Sequence, residues 1–166
     1  SNDLNELSKA MKYLIDQCGE DCEEDDGKRD ILIRAGANEA VMKAAEMAKD
    51  EPELLAIHFE LILRLSVNHN NKIRLMKVNA DKVLVDGLRV WGERNFEVAK
   101  WGCTALASLA IEEDNRVLLV KQGAGVVVAT AMKAFARNFE VAASGCYVLE
   151  RLAQTEEAVF ALMEQG

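Results

Sequence analysis

Residues 95–123 read NFEVAKWGCTALASLAIEEDNRVLLVKQG, and much of that stretch returns at residues 138–166 as NFEVAASGCYVLERLAQTEEAVFALMEQG. Asn95, Phe96, Glu97 and Val98 reappear as Asn138, Phe139, Glu140 and Val141. Gly102 and Cys103 reappear as Gly145 and Cys146, and Leu109 and Ala110 as Leu152 and Ala153. The apolar run from Val117 to Gly123 is answered by the run from Phe160 to Gly166. A fixed spacing of this size marks a repeat array, in which each unit buries its apolar face only against its neighbours.

The same three-part pattern extends back to about residue 28. A short first helix carries Ile31, Leu32 and Ile33, then Leu75, Met76 and Val78, then Val117 to Val120. It ends at Gly36, Asn79 or Gly123, the residue types that accept a left-handed helix end. A second helix starts at once. Ala40, Val41, Ala44, Ala45 and Ala48 match Val83, Leu84, Gly87, Leu88 and Trp91, then Val127, Val128, Ala131, Met132 and Phe135. That spacing is one helix face, so Trp91 and Phe135 are expected in the core. The third helix is the longest. Its inward stripe is Leu55, His58, Phe59, Ile62, Leu65 and Ser66, then Ala99, Gly102, Cys103, Leu106, Leu109 and Ala110. In the last unit the stripe is Ala142, Gly145, Cys146, Leu149, Leu152 and Ala153. Pro52 falls in a first turn, where its missing N–H costs nothing. Asn71 and Asn115 precede apolar runs and are expected to cap them.

The division that follows is an N-terminal helix of a partial unit plus an acidic loop over 1–27. Three full units occupy 28–70, 71–114 and 115–157, and 158–166 is the first helix of a further unit. Leu4, Leu7, Met11, Leu14 and Ile15 make the N-terminal helix amphipathic. The acidic loop holds Glu20, Asp21, Glu23, Glu24, Asp25 and Asp26. It lacks the ligand spacing of a calcium loop and reads as a solvated insert, with contact to a basic partner as the alternative.

Composition agrees with stacked helices. Half of the 166 residues are apolar, and there is one proline. The net charge of -8 argues against a nucleic-acid partner, which needs clustered Lys and Arg. No apolar run has the length of a membrane span. Of the four cysteines Cys18, Cys22, Cys103 and Cys146, the last two hold equivalent inward positions. They read as small core residues, free and slow to react, in a reducing compartment. The expected location is cytoplasmic, with the nucleus as the alternative.

With the phase kept over three units, the chain resembles the armadillo repeat family. The family pattern is an Asn, an apolar short helix, Gly-Ala, a second helix, and a third ending in Ala-Leu-x-Asn-Leu-Ala. Here the matching residues are Asn115, Gly123 and Ala124, with a close at Leu149 to Ala153. In the middle unit they are Asn71, Asn79 and Ala80, with a close at Ala105 to Ala110; in the first, Lys28, Gly36 and Ala37, with a close at Leu61 to Ser66. HEAT repeats are the near alternative. The resemblance implies an all-α, armadillo-type α-solenoid, a right-handed superhelix of three-helix repeats whose third helices line a concave groove. In importin-α-like members an Asn near the end of each third helix grips a peptide backbone, with a Trp one turn earlier. Those positions here are Arg64, Ser108 and Arg151, and Glu60, Thr104 and Tyr147, so that ladder is absent.

The expected function is therefore a non-catalytic protein–protein interaction scaffold within a longer protein. The alternative is a regulatory or ligand-sensing segment of an enzyme whose catalytic domain lies elsewhere. No nucleophile, phosphate-loop or metal motif is present, and no cofactor is expected. His58 sits on the core stripe and reads as a packed histidine. The expected contact residues are Ile57, Glu60 and Arg64, then Lys100, Trp101, Thr104 and Ser108, then Ser144, Tyr147 and Arg151. They favour a protein or peptide partner with acidic or phosphorylated groups. The repeat end is expected to expose apolar surface, so that the native chain continues and this segment self-associates.

Overall fold

The computed structural model describes residues 2–19, 26–154, 156, 159, 160 and 163. The protein is all-α, with ten helices and no strand among the described residues. They are α1 (Asn2–Cys18), α2 (Asp26–Arg34), α3 (Ala37–Ala48), α4 (Pro52–Leu65) and α5 (His69–Lys77). α6 (Ala80–Trp91), α7 (Phe96–Leu109), α8 (Glu113–Gln122), α9 (Ala124–Ala134) and α10 (Phe139–Leu152) follow. After α1, a short, an intermediate and a long helix recur three times. Most of the acidic loop, Cys22 and most of the stretch 158–166 lie outside the described residues.

The expected left-handed residues separate first from second helices. Gly36, Asn79 and Gly123 have φ of 89°, 63° and 90°. Asn79 is the one non-glycine with positive φ among the described residues. α4 begins with Pro52 in its first turn. The side chains of Asn95 and Asn138 cap α7 and α10, accepting from Val98 N (3.0 Å) and Val141 N (3.1 Å).

Asn71 and Asn115, by contrast, do not cap. The helices begin earlier than the apolar runs suggest, with Asn68 and Glu112 at the N-cap positions. Asn68 Oδ1 accepts from Asn71 N (3.0 Å). Asn71 and Asn115 are buried within the first turns. Asn115 Nδ2 donates instead to Leu109 O at the end of α7 (2.9 Å).

The long helices pack in sequence, α1 on α4, α4 on α7 and α7 on α10, and the second helices pack on them. One inward position shows how volume is shared. His58 of α4 matches Gly102 of α7 and Gly145 of α10; the second helices place Leu88 and Met132 against the two glycines, and the matching residue of α3 is Ala45. A Cβ on Gly102 would lie 2.8 Å from Leu88 Cδ2, and one on Gly145 would strike Met132. Where the second helix is large the third is glycine; where the second helix offers Ala45, the third supplies a fully buried His58. Between units the same exchange recurs, since a Cβ on Gly87 of α6 would strike Phe59 of α4.

The last unit departs from the expected burial. Cys103 is fully buried, but Cys146 is exposed. Ala153 is exposed too, and Ala142 and Leu149 are only partly buried. The position of Cys146 is that of Phe59, which is covered by the second helix of the next unit. No such helix covers Cys146 among the described residues, so the expectation of a slow thiol is corrected there. Trp91 and Phe135 do pack against the core, partly exposed.

The volume exchange gives a sign-reversal test. Gly102→Ala in the wild-type chain should destabilise by about 1–2 kcal/mol, overpacking outweighing helix propensity. In the Leu88→Ala background the same substitution should stabilise by up to about 1 kcal/mol. Urea unfolding of the four chains measures both, and equal effects in the two backgrounds would refute the pairing.

Candidate binding face of the long helices

The inward stripe of each long helix leaves an opposite face directed away from the second helices. On α4 it carries Ile57, Glu60 and Arg64; on α7, Lys100, Trp101, Thr104 and Ser108; on α10, Ser144, Tyr147 and Arg151. Spacings of three, four and seven residues keep each set on one helix face. Nine of the ten are partly buried, and Tyr147 is the exposed one at 53%.

Side-chain bonds tie neighbouring sets together. Ser66 Oγ, at the C-cap of α4, lies 2.8 Å from Ser108 Oγ, which in turn donates to Ser66 O (3.1 Å). Thr104 Oγ1 and Ser144 Oγ are 2.9 Å apart, joining α7 to α10. Lys100 Nζ meets Glu140 Oε1 at 3.0 Å. Arg64 Nη1 donates to Gly19 O just beyond α1 (3.4 Å). The four long helices thus share a surface laced by short polar bridges.

Cations on this surface are stacked or paired. Lys100 Nζ lies 4.9 Å from the Trp101 ring centroid, and Trp101 Nε1 donates to Glu97 (3.1 Å). The Arg151 guanidinium lies 5.5 Å from the Tyr147 ring centroid and has no ion-pair partner among the described residues. Arg64 is different: Glu60 of its own helix binds it at 3.1 Å. Arg64 therefore offers less to an external anion than Arg151 does. Ile57, Glu60 and Arg64 also line a cleft of about 470 Å³ with Lys12, Ile15, Asp16 and Gly19. The three α1 residues are an addition to the expected set. The sequence already marks α1 as the last helix of a partial unit, and carrying the outward face onto it would have found them.

A buried row of basic residues escaped the sequence reading altogether. Arg29, Lys72 and Arg116 hold equivalent places in the short helices and are 1%, 7% and 9% exposed. Arg29 Nε donates to Cys18 O at the end of α1 (2.7 Å). Arg116 donates to Ala110 O (2.9 Å) and Ile111 O (3.1 Å) at the end of α7. These guanidiniums satisfy carbonyls that a helix leaves unpaired at its negative end. Lys72 instead meets Glu112 at 3.4 Å, and His69 Nδ1 meets the same carboxylate at 2.6 Å. Burial pushes the Glu112 carboxyl up, but the bonds from His69 and Lys72 outweigh it and hold it below its ordinary value. A basic residue recurring one place after Lys28, Asn71 and Asn115 was the available signal.

Neither His58 of α4 nor Cys103 of α7, both buried, is placed to react. Burial lowers His58 to about 4, so its ring is neutral packing, and neither ring nitrogen has a hydrogen-bond partner. Burial pushes the Cys103 thiol up to about 12. No group of three metal-ligating side chains gathers among the described residues, and no single described helix is long and apolar enough to cross a membrane. No family model matches the chain, and no characterised protein matches it in sequence.

His58 has a consequence for acid stability. Its folded pKa lies below the unfolded value, so the unfolded chain takes up a proton first. Stability is then unaffected above about pH 6.5 and falls as pH drops toward 4. Replacing the ring by His58→Leu should remove about 2 kcal/mol of the wild-type stability loss between pH 7 and pH 5. Urea unfolding at the two pH values decides it, and identical losses in both chains would contradict the assignment.

Proposed function

We propose that the protein is an armadillo-type α-solenoid acting as a non-catalytic protein–protein interaction scaffold. In this reading the long helices line the concave side of a right-handed superhelix, and their shared face receives an acidic peptide segment of a partner. The observation that carries it is the side-by-side packing of α4, α7 and α10, whose outward faces carry nine polar and aromatic residues and Ile57. Tyr, Trp and Arg are enriched at binding hot spots because they combine large area with directed polar contact. Stacking on Tyr147 pre-orients the Arg151 guanidinium, a planar fork suited to a carboxylate. The cross-helix bridges hold the surface rigid, which lowers the ordering cost of binding.

Glu-rich and neutral peptides of equal length can be compared by fluorescence anisotropy. The Glu-rich peptides should bind preferentially. Tyr147→Ala combined with Arg151→Ala should weaken them about 10-fold or more, near 1.4 kcal/mol, with helicity unchanged by circular dichroism. Unchanged affinity in the double variant would move the interaction off this face.

A further inference from the structure

A second polar site lies away from that face, where the ends of α2 and α5 meet the start of α3. The cavity there is about 340 Å³ and is lined by Arg34, Arg74, Lys77, Asn38 and Glu39, with Ile33 and Val78 as its apolar wall. Arg34 comes from the last turn of α2, and Arg74 and Lys77 from the last turn of α5. Three cations thus face one carboxylate. Arg34, itself exposed, also reaches the partly buried Asp30 at 3.5 Å.

The start of α3 is itself a donor. Its N-cap is Gly36, which forms no side-chain cap, and the first bond into the helix runs from Ala40 N to Gly36 O. The N–H groups of Ala37, Asn38 and Glu39 precede that bond, at the positive end of the helix dipole. Asn38 lines the cavity and is 3% exposed, and its Oδ1 has no hydrogen-bond partner.

The next unit shows what α3 lacks. The residue matching Asn38 is Asp81, buried at the start of α6, where burial pushes its carboxyl up and the first-turn backbone N–H groups of the helix only partly offset this. α3 carries a neutral amide at that place, with the Glu39 carboxylate in the same first turn and cations from two other helices around it.

We propose that this cavity binds a phosphate group that keeps one P–OH, either inorganic hydrogen phosphate or a singly protonated phosphomonoester. Arg34, Arg74, Lys77 and the first-turn N–H groups of α3 hold the P–O⁻ oxygens, and Asn38 Oδ1 accepts from the P–OH. Sulfate has the charge and size but no proton to give, so Asn38 discriminates against it. Glu39 opposes the anion and limits its affinity.

Calorimetric titration of the full chain with inorganic phosphate, sulfate and phosphoserine tests the assignment. Phosphate should bind saturably, and sulfate at least about 10-fold more weakly, the value of one charge-assisted hydrogen bond. Arg74→Gln with Lys77→Gln should weaken phosphate about 10-fold or more, and Glu39→Gln should tighten it. Tyr147→Ala with Arg151→Ala should leave it unchanged, which separates this site from the long-helix face. Phosphoserine binding that strengthens from pH 7.5 to 5.5 would assign the site to a modified peptide; phosphate binding without phosphoserine would assign it to the free anion. No saturable phosphate binding up to about 10 mM, sulfate binding as tight as phosphate, or wild-type affinity in the Arg74 and Lys77 variant would overturn the proposal.

Discussion

A left-handed backbone residue between each short helix and the next is the constraint on which the rest depends. With φ of 89°, 63° and 90° at Gly36, Asn79 and Gly123, the chain turns sharply without an intervening loop, by 73° between α8 and α9, and the second helix starts at the following residue. That geometry admits glycine freely and asparagine at a modest cost. It places each second helix against its own long helix and the long helix of the unit before. The volume exchange of His58 with Ala45, Gly102 with Leu88 and Gly145 with Met132 makes sense only if those helices meet at the same height in every unit.

The other recurrent interaction is polar. Arg29 and Arg116 reach from the short helices to the carbonyl ends of α1 and α7, where the helix dipole is negative. In the middle unit Lys72 turns to Glu112 instead, and Ser108 takes the carbonyl of Ser66. The long helices are therefore held at their C-terminal ends by groups from neighbouring units. This fixes the spacing of the outward residues from one long helix to the next.

The turns and the inward stripe were legible in the sequence because each rests on local chemistry. Glycine or asparagine marks the turn, and helical spacing marks the stripe. The caps Asn95 and Asn138 carry an equally local signal that the sequence reading passed over. Local chemistry also misled. Asn71 and Asn115 have the residue type of a cap, but their amides lie inside, where Asn115 satisfies a carbonyl of the preceding long helix. Cys146 was judged by its match to Cys103, yet burial at that position depends on a helix of the next unit. The pairing of Arg64 with Glu60 is an i,i+4 pair that the sequence offers directly. The cluster of Arg34, Arg74 and Lys77 around Asn38 could not be seen, since three helices bring it together. The armadillo assignment itself remains a proposal resting on the repeated pattern and the order of packing.

That the long helices stand side by side in register is measured most directly by cross-linking of paired cysteines. Ser66→Cys with Ser108→Cys, and Thr104→Cys with Ser144→Cys, replace hydroxyls that lie 2.8 and 2.9 Å apart. Both pairs are best made in a Cys146→Ser background. Each should oxidise within one molecule to a disulfide, the side chains being within the reach that bond requires. The mismatched pair Ser66→Cys with Ser144→Cys should stay reduced. Failure of both matched pairs to close, or closure of the mismatched pair as readily, would contradict the packing order on which the rest of the account is built.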